Sequence, residues 1–185
     1  MSKRKPDKKK KTGSSTIQRN RRWVIWLVPI IIVLFATGII FSTMPIWNSK
    51  SPNGPRFQKE GELQFIGSSG QTIQTIDIEI AENDLDRAQG LMWRKSLESS
   101  QGMLFIMDSM EEQSFWMLNT YIPLDIIFAD DRLKIVKIRS HAAPQSLDPV
   151  TSELPAQYVV EVNAGFCEEF GIKEGDQIKF QRTNR

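Results

Sequence analysis

The chain has 185 residues, with 24 lysines and arginines against 22 aspartates and glutamates, one histidine, one cysteine and a formal net charge of +2. That length fits one ordinary domain with attachments. A single cysteine excludes an intramolecular disulfide and any multi-thiolate zinc or iron–sulfur centre, and a single histidine excludes the usual His/Cys cages, so neither a metal nor another cofactor is expected.

The small net charge averages two unlike parts. Residues 1–22 carry ten basic groups and one acid, Asp7, whereas residues 23–185 carry 14 basic and 21 acidic groups. Residues 23–47 then run without a formal charge, and the densest stretch, Trp23–Phe41, holds 19 residues. As a helix it spans about 28 Å, close to the ~30 Å hydrocarbon core of a bilayer. Trp23, Trp26 and Trp47 sit near its ends, where indoles favour the membrane interface. Ala36-Thr37-Gly38 resembles a signal-peptidase site, but Ile39-Ile40-Phe41 prolongs the apolar run past it, which favours an uncleaved anchor. The basic excess before the span places the N-terminus in the cytoplasm and the bulk of the chain outside. Membrane lipid is the expected partner of both span and tail. The tail has no aromatic residue before Trp23 to stack on bases, so no nucleic acid is expected.

Residues 48–61, with two prolines and two glycines, read as a flexible linker, and residues 62–182 as the domain. Leu63–Ile66 and Thr72–Ile80 flank Gly67-Ser68-Ser69-Gly70 as a hairpin. Ile76, Ile78 and Ile80 alternate with Asp77 and Glu79, which predicts one buried and one wet face. Asn83 or Asp84 caps a short helix through Gln89, stopped by Gly90. Met103–Met107, Phe115–Leu118, Leu124–Ala129 and Leu133–Arg139 are further strands, with Asp130-Asp131 turning between the last two. Residues 141–155 read as a long loop, Tyr158–Val162 as a strand, Phe166–Phe170 as a helical turn and Gln177–Gln181 as the last strand. The pattern predicts a β-rich α+β domain, a compact antiparallel or barrel-like sheet with two short helices.

Several motifs occur in order: Arg87-Ala88-Gln89-Gly90-Leu91-Met92-Trp93-Arg94, Gly102-Met103-Leu104-Phe105, Phe115-Trp116-Met117-Leu118-Asn119-Thr120, Ile122-Pro123-Leu124-Asp125-Ile126 and Gly175-Asp176. Together, over about Ile73–Phe180, they resemble the domain of unknown function family 192. The resemblance implies one compact, mostly β domain, often carried outside the cytoplasmic membrane, and implies no reaction.

Within the motifs the apolar residues have the composition of core. Gly90 and Gly102 are expected at a positive φ or a close backbone approach, and Asn119-Thr120 at a turn. The polar remainder, Arg87, Arg94, Trp116, Asn119 and Asp125, supplies the candidate binding residues. Asp125 alternates with Leu124 and Ile126, so an Arg–Asp pair bracing the helix on the sheet is one expectation. The other is a shallow pocket in which Arg94 meets an anionic group and Trp116 or Trp93 stacks on a ring. For catalysis the parts are sparse: Asp125 with Arg94, and His141 as a base that Asp125 orients. Cys167, beside Glu168-Glu169, is expected to be an unreactive thiol. Five methionines between residues 92 and 117 invite a Cu(I) reading, against which core packing is favoured. The favoured function is a non-catalytic binding or accessory module at the cell envelope, with a small molecule, glycan or protein as partner. An extracytoplasmic enzyme and a structural subunit of an envelope complex are the alternatives.

Overall fold

The computed structural model describes residues 54–183. The expected anchor and basic tail lie outside the described residues, and among those described no helix is long and apolar enough to cross a membrane. The elements are β1 (Gly61–Ile66), β2 (Thr72–Ala81), α1 (Asp84–Gln89), β3 (Gln101–Phe115), β4 (Leu124–Ala129), β5 (Ile135–Ala142), β6 (Val150–Asn163), α2 (Phe166–Phe170) and β7 (Gln177–Arg182). They build one seven-stranded sheet in the order β5-β4-β6-β3-β2-β1-β7.

The sheet curls until its edge strands approach one another. Ile135 N–H donates to Asp176 O and Ile178 N–H to Leu133 O, both at 2.8 Å. Inside the curl, Leu63, Phe65, Ile78, Leu104, Ile127 and Val160 form one core, closed by Phe166 and Cys167 of α2. Outside it, Met103, Phe105, Ile126, Phe128 and Val159 form a second core. Leu91 and Leu97 cover this second core from the α1–β3 connection, and Met117 and Ile122 from the β3–β4 connection. Each fully buried Leu, Ile or Phe contributes roughly 1.5–3 kcal/mol from area removed from water. Two-sided cover also explains why every residue of β4 is buried.

The expected β-rich α+β fold with two short helices is present as a curled half-barrel, but the sheet is mixed. β2 and β3 run parallel, with Glu79 beside Met103, because α1 and the following loop carry the chain back to the starting end. Met103–Met107 and Phe115–Leu118 are not two strands. β3 runs unbroken from Gln101 to Phe115, its polar middle pairing with β6 through bulges that place Glu111 opposite Ala156 and Glu112 opposite Pro155. By the same pairing most of the expected loop at 141–155 is strand: β5 continues to Ala142 and β6 starts at Val150. Nor is the described end of the linker loose. Gln58 N–H donates to Glu79 Oε1 at 3.0 Å, Glu60 Oε2 accepts from Ile80 N–H at 2.9 Å, and Gly54, at φ +77°, lies against Trp93 O with no room for a Cβ.

Helix α1 forms where its caps predict. Asn83 accepts from Asp86 N–H at 3.0 Å, Asp84 and Asp86 occupy the positive end of the helix dipole, and Gly90 closes the other end at φ +47°.

Candidate ligand cleft

Backbone pairing sets Glu79 of β2 beside Met103 of β3, Met103 beside Glu161 of β6, and Glu161 beside Ile126 of β4. Residues in one such row share a face. Two carboxyls are thereby inserted into the apolar surface that the α1–β3 connection covers. Glu79, expected on a wet face, is buried there, because that connection lays Arg94 across it. Arg94, 4% exposed, brings Nη2 to 2.5 Å from Glu79 Oε2. The contact is charge on charge, off the hydrogen-bonding direction, and neither Glu79 Oε2 nor Arg94 Nε has a hydrogen-bond partner among the described residues.

Among the described residues, Glu161 has no such counter-ion. It is 5% exposed, and no described residue donates a hydrogen bond to its carboxyl. Burial pushes its pKa up from 4.5 to about 8, and the charge of Arg94 opposes that rise only in part. At neutral pH the group is mostly the neutral acid.

A cleft of about 240 Å³ opens over Glu161. Arg87–Met92, the end of α1 and the turn after it, form one wall; Phe105, Met107, Phe115 and Trp116 form the other. Gly90 allows α1 to end this close: a Cβ there would meet the Phe105 ring at 3.1 Å and stand 3.9 Å from Glu161 Oε2. A second cleft of about 210 Å³ lies across Gln89 and Gly90, lined by Glu60, Glu79, Arg94 and Met103 among others.

The candidate residues divide between this region and elsewhere. Arg87 lines the cleft with its guanidinium committed: Nη1 and Nη2 donate to both oxygens of Asp108 at 3.1 and 3.0 Å, and Nη2 also meets Asp84 at 2.7 Å. An Arg–Asp brace between helix and sheet exists, then, but its acid is Asp108 of β3. Trp116, 58% exposed, stands at the cleft mouth. Asn119 is at a turn, with φ +56°; its carbonyl accepts from Trp93 N–H at 2.8 Å, tying the two covering connections together. Trp93 itself does not line the cleft. Arg94 is taken by Glu79, and the second cleft it borders is lined by Arg56 and three acids, Glu60, Glu79 and Asp86.

Asp125 lies elsewhere. It projects to the interior of the curl, where Oδ1 accepts from His141 N–H at 2.9 Å and Oδ2 from Cys167 N–H at 3.0 Å. It holds two backbone corners together, and His141 is exposed at one of them with φ +58°. Arg94, Asp125 and His141 therefore do not converge in one cleft, as the enzyme reading required. Cys167 is buried, and burial first, then the Asp125 charge, pushes its thiol well above the ordinary range; the neighbouring glutamates are not the cause. Met92 and Met107 line the cleft, Met103 and Met117 are core, and Met110 is exposed, so alternation disperses the five methionines.

Glu161 and Glu79 were not among the candidates. A signal for Glu161 exists in the sequence: it interrupts Tyr158–Val162, an otherwise apolar strand that is apolar on both faces. A neutral carboxyl at a cleft base donates one hydrogen bond or, on losing its proton, serves as a counter-ion. No activated nucleophile lines the cleft with it. Thr120 Oγ1 is directed to Leu118 O at 3.4 Å, and Ser114 makes no hydrogen bond with an acid or base.

Residues 65–180 match the family model DUF192, described as "Uncharacterized ACR". A solved structure from Sinorhizobium meliloti 1021, described as a candidate transcription regulator, is 32% identical; the match covers 68% of this chain and 98% of that one, with a TM-score of 0.64. A protein of unknown function from Novosphingobium aromaticivorans DSM 12444 is 34% identical over 64% of this chain and 83% of its own, with a TM-score of 0.60. No curated protein is significantly similar. By the family model, which covers every element from β2 to α2 and parts of β1 and β7, the chain belongs to the DUF192 family.

Proposed function

We propose that this chain is a single-pass membrane protein, N-terminus inside, whose DUF192 domain stands outside the cytoplasmic membrane and holds a small ligand in the cleft over Glu161 without transforming it. The uncharged run at 23–47 and the ten basic groups before it support the placement. One observation carries the binding role: a carboxyl only 5% exposed, to which no described residue donates a hydrogen bond, at the base of a cleft with an exposed tryptophan at its mouth. The regulator description of the S. meliloti protein is not carried over as nucleic-acid binding. Residues 54–183 hold 12 basic and 21 acidic groups, a balance that repels a phosphate backbone.

A fragment screen on the full chain in neutral detergent, read by tryptophan fluorescence, tests the binding role. Fragments that perturb the wild-type signal are expected to lose that effect in Trp116→Ala. A library with no such fragment overturns it. External protease acting on intact spheroplasts tests the placement and is expected to remove the domain and leave the tail.

A further inference from the structure

We propose that the cleft selects a cationic group on an aliphatic stem, an ammonium or guanidinium that takes Glu161 as its counter-ion and lies between Trp116 and the methionine walls. The inference rests on the cleft being a binding site and names the chemistry of its ligand.

Charge at the cleft sets the sign. Among the described residues that line it, the charged ones are the cation Arg87 and the acid Glu161. That cation is neutralised by Asp84 and Asp108 and offers nothing to an anion. Met92, Met107, Phe105 and Phe115 supply soft apolar wall beside the polar Gln89, Ser114 and Thr120, with Trp116 exposed at the rim. Aromatic faces attract a cation, and thioethers pack against its methylene stem. The volume, about 240 Å³, is below the ~300–1,000 Å³ of sites for drug-sized ligands, so a side-chain-sized group fills it.

The decisive feature is Glu161. A carboxyl buried without a hydrogen-bond partner is costly as an ion and is ordinarily replaced by an apolar residue. A ligand that brings its own positive charge removes that cost. Binding then proceeds with a defined proton balance: the neutral Glu161 acid gives its proton to solvent, the carboxylate forms, and the cation pairs with it. The other charged groups facing this position are Arg94 from the α1–β3 connection, held by Glu79 of β2, and Arg87 of α1, held by its two aspartates. Arg139 of β5 lies in the same row beyond Ile126, and Glu153 holds it at 2.5 Å. Each of these cations already has a carboxylate, so none competes for Glu161.

The test uses the full chain in dodecyl maltoside with three probes of one size: n-butylammonium, butanol and butyrate. Butylammonium is expected to bind at least tenfold more tightly than the other two at pH 7 and to release close to one proton, seen as buffer-dependent heat in calorimetry. Its affinity is expected to fall about tenfold per pH unit between pH 7 and pH 5, because the ligand must displace the proton. Glu161→Gln is expected to abolish both the preference and the pH dependence. The wild-type pH profile stands without that variant should it fold poorly. Nα-acetyl-lysine methylamide, compared with butylammonium, separates a protein side chain from a free amine as the source of the cation. Equal binding of butanol or butyrate, or a flat pH profile, overturns the cation selectivity while leaving the cleft as a binding site. Silence from all three probes also overturns the cation selectivity, and the fragment screen decides separately whether the cleft binds anything.

Discussion

Replacing Glu161 by glutamine gives the sharpest measurement of what the fold imposes on this residue. An ordinary glutamate releases its proton near pH 4.5, whereas here the group holds it to about pH 8. Between those values the folded chain binds a proton that the unfolded chain has lost, so stability falls as pH rises from about 4.5 through about 8 and levels above it. The slope approaches 1.36 kcal/mol per pH unit, and the difference accumulated between pH 5 and pH 8 is roughly 3–4 kcal/mol. Glutamine keeps the shape and does not titrate, so the other ionisable groups cancel in the comparison. All sheet pairings and both cores close within residues 54–183, so urea unfolding of the Ser49–Arg185 fragment followed by tryptophan fluorescence is a suitable assay. The variant is expected to gain on wild type steadily from pH 5 to pH 8. Two parallel curves over that range would falsify the assignment of Glu161 as a buried neutral acid, whatever the constant offset between them.

Three further substitutions probe the same surroundings. Arg94→Met leaves Glu79 buried without its cation and is expected to cost about 3–5 kcal/mol in urea unfolding, with Glu79→Gln in the same chain restoring a large part. Loss of stabilisation equal to that of an exposed pair, under ~1 kcal/mol, would contradict the burial argument. Asp125→Ala strips the acceptor from His141 N–H and Cys167 N–H and is expected to lower stability by about 3 kcal/mol while leaving probe binding at the cleft unchanged; a loss of binding would place Asp125 in the site after all. Gly102→Ala would bring a Cβ to 2.9 Å from both Glu161 O and Ile76 Cδ1, an overpacking worth about 1–3 kcal/mol that thermal unfolding would register.

Local physics was legible before any coordinate. The cap at Asn83 and the stop at Gly90 bounded α1, because side-chain capping and positive φ act within four residues. Alternation set Asp125 opposite Leu124 and Ile126, since strand period is a property of the backbone. The family motifs pointed to the right domain. Polar stretches were less legible: Asp108–Gln113 lies between two runs expected as separate strands, yet it belongs to β3, where β6 supplies partners for Glu111 and Glu112.

The sequence by itself determined the charge asymmetry, the uncharged run and the faces that each strand presents. It did not determine what covers those faces. Glu79 alternates like any solvated residue, and only the return of the chain through α1 to a parallel β3 lays Arg94 over it. Arg87 took Asp108 as its acid, and Asp125 took two backbone amides, because tertiary distance decides ion pairing. Periodicity tells which residues share a surface; desolvation, and with it the state of Glu161, depends on segments remote in the chain that close over that surface.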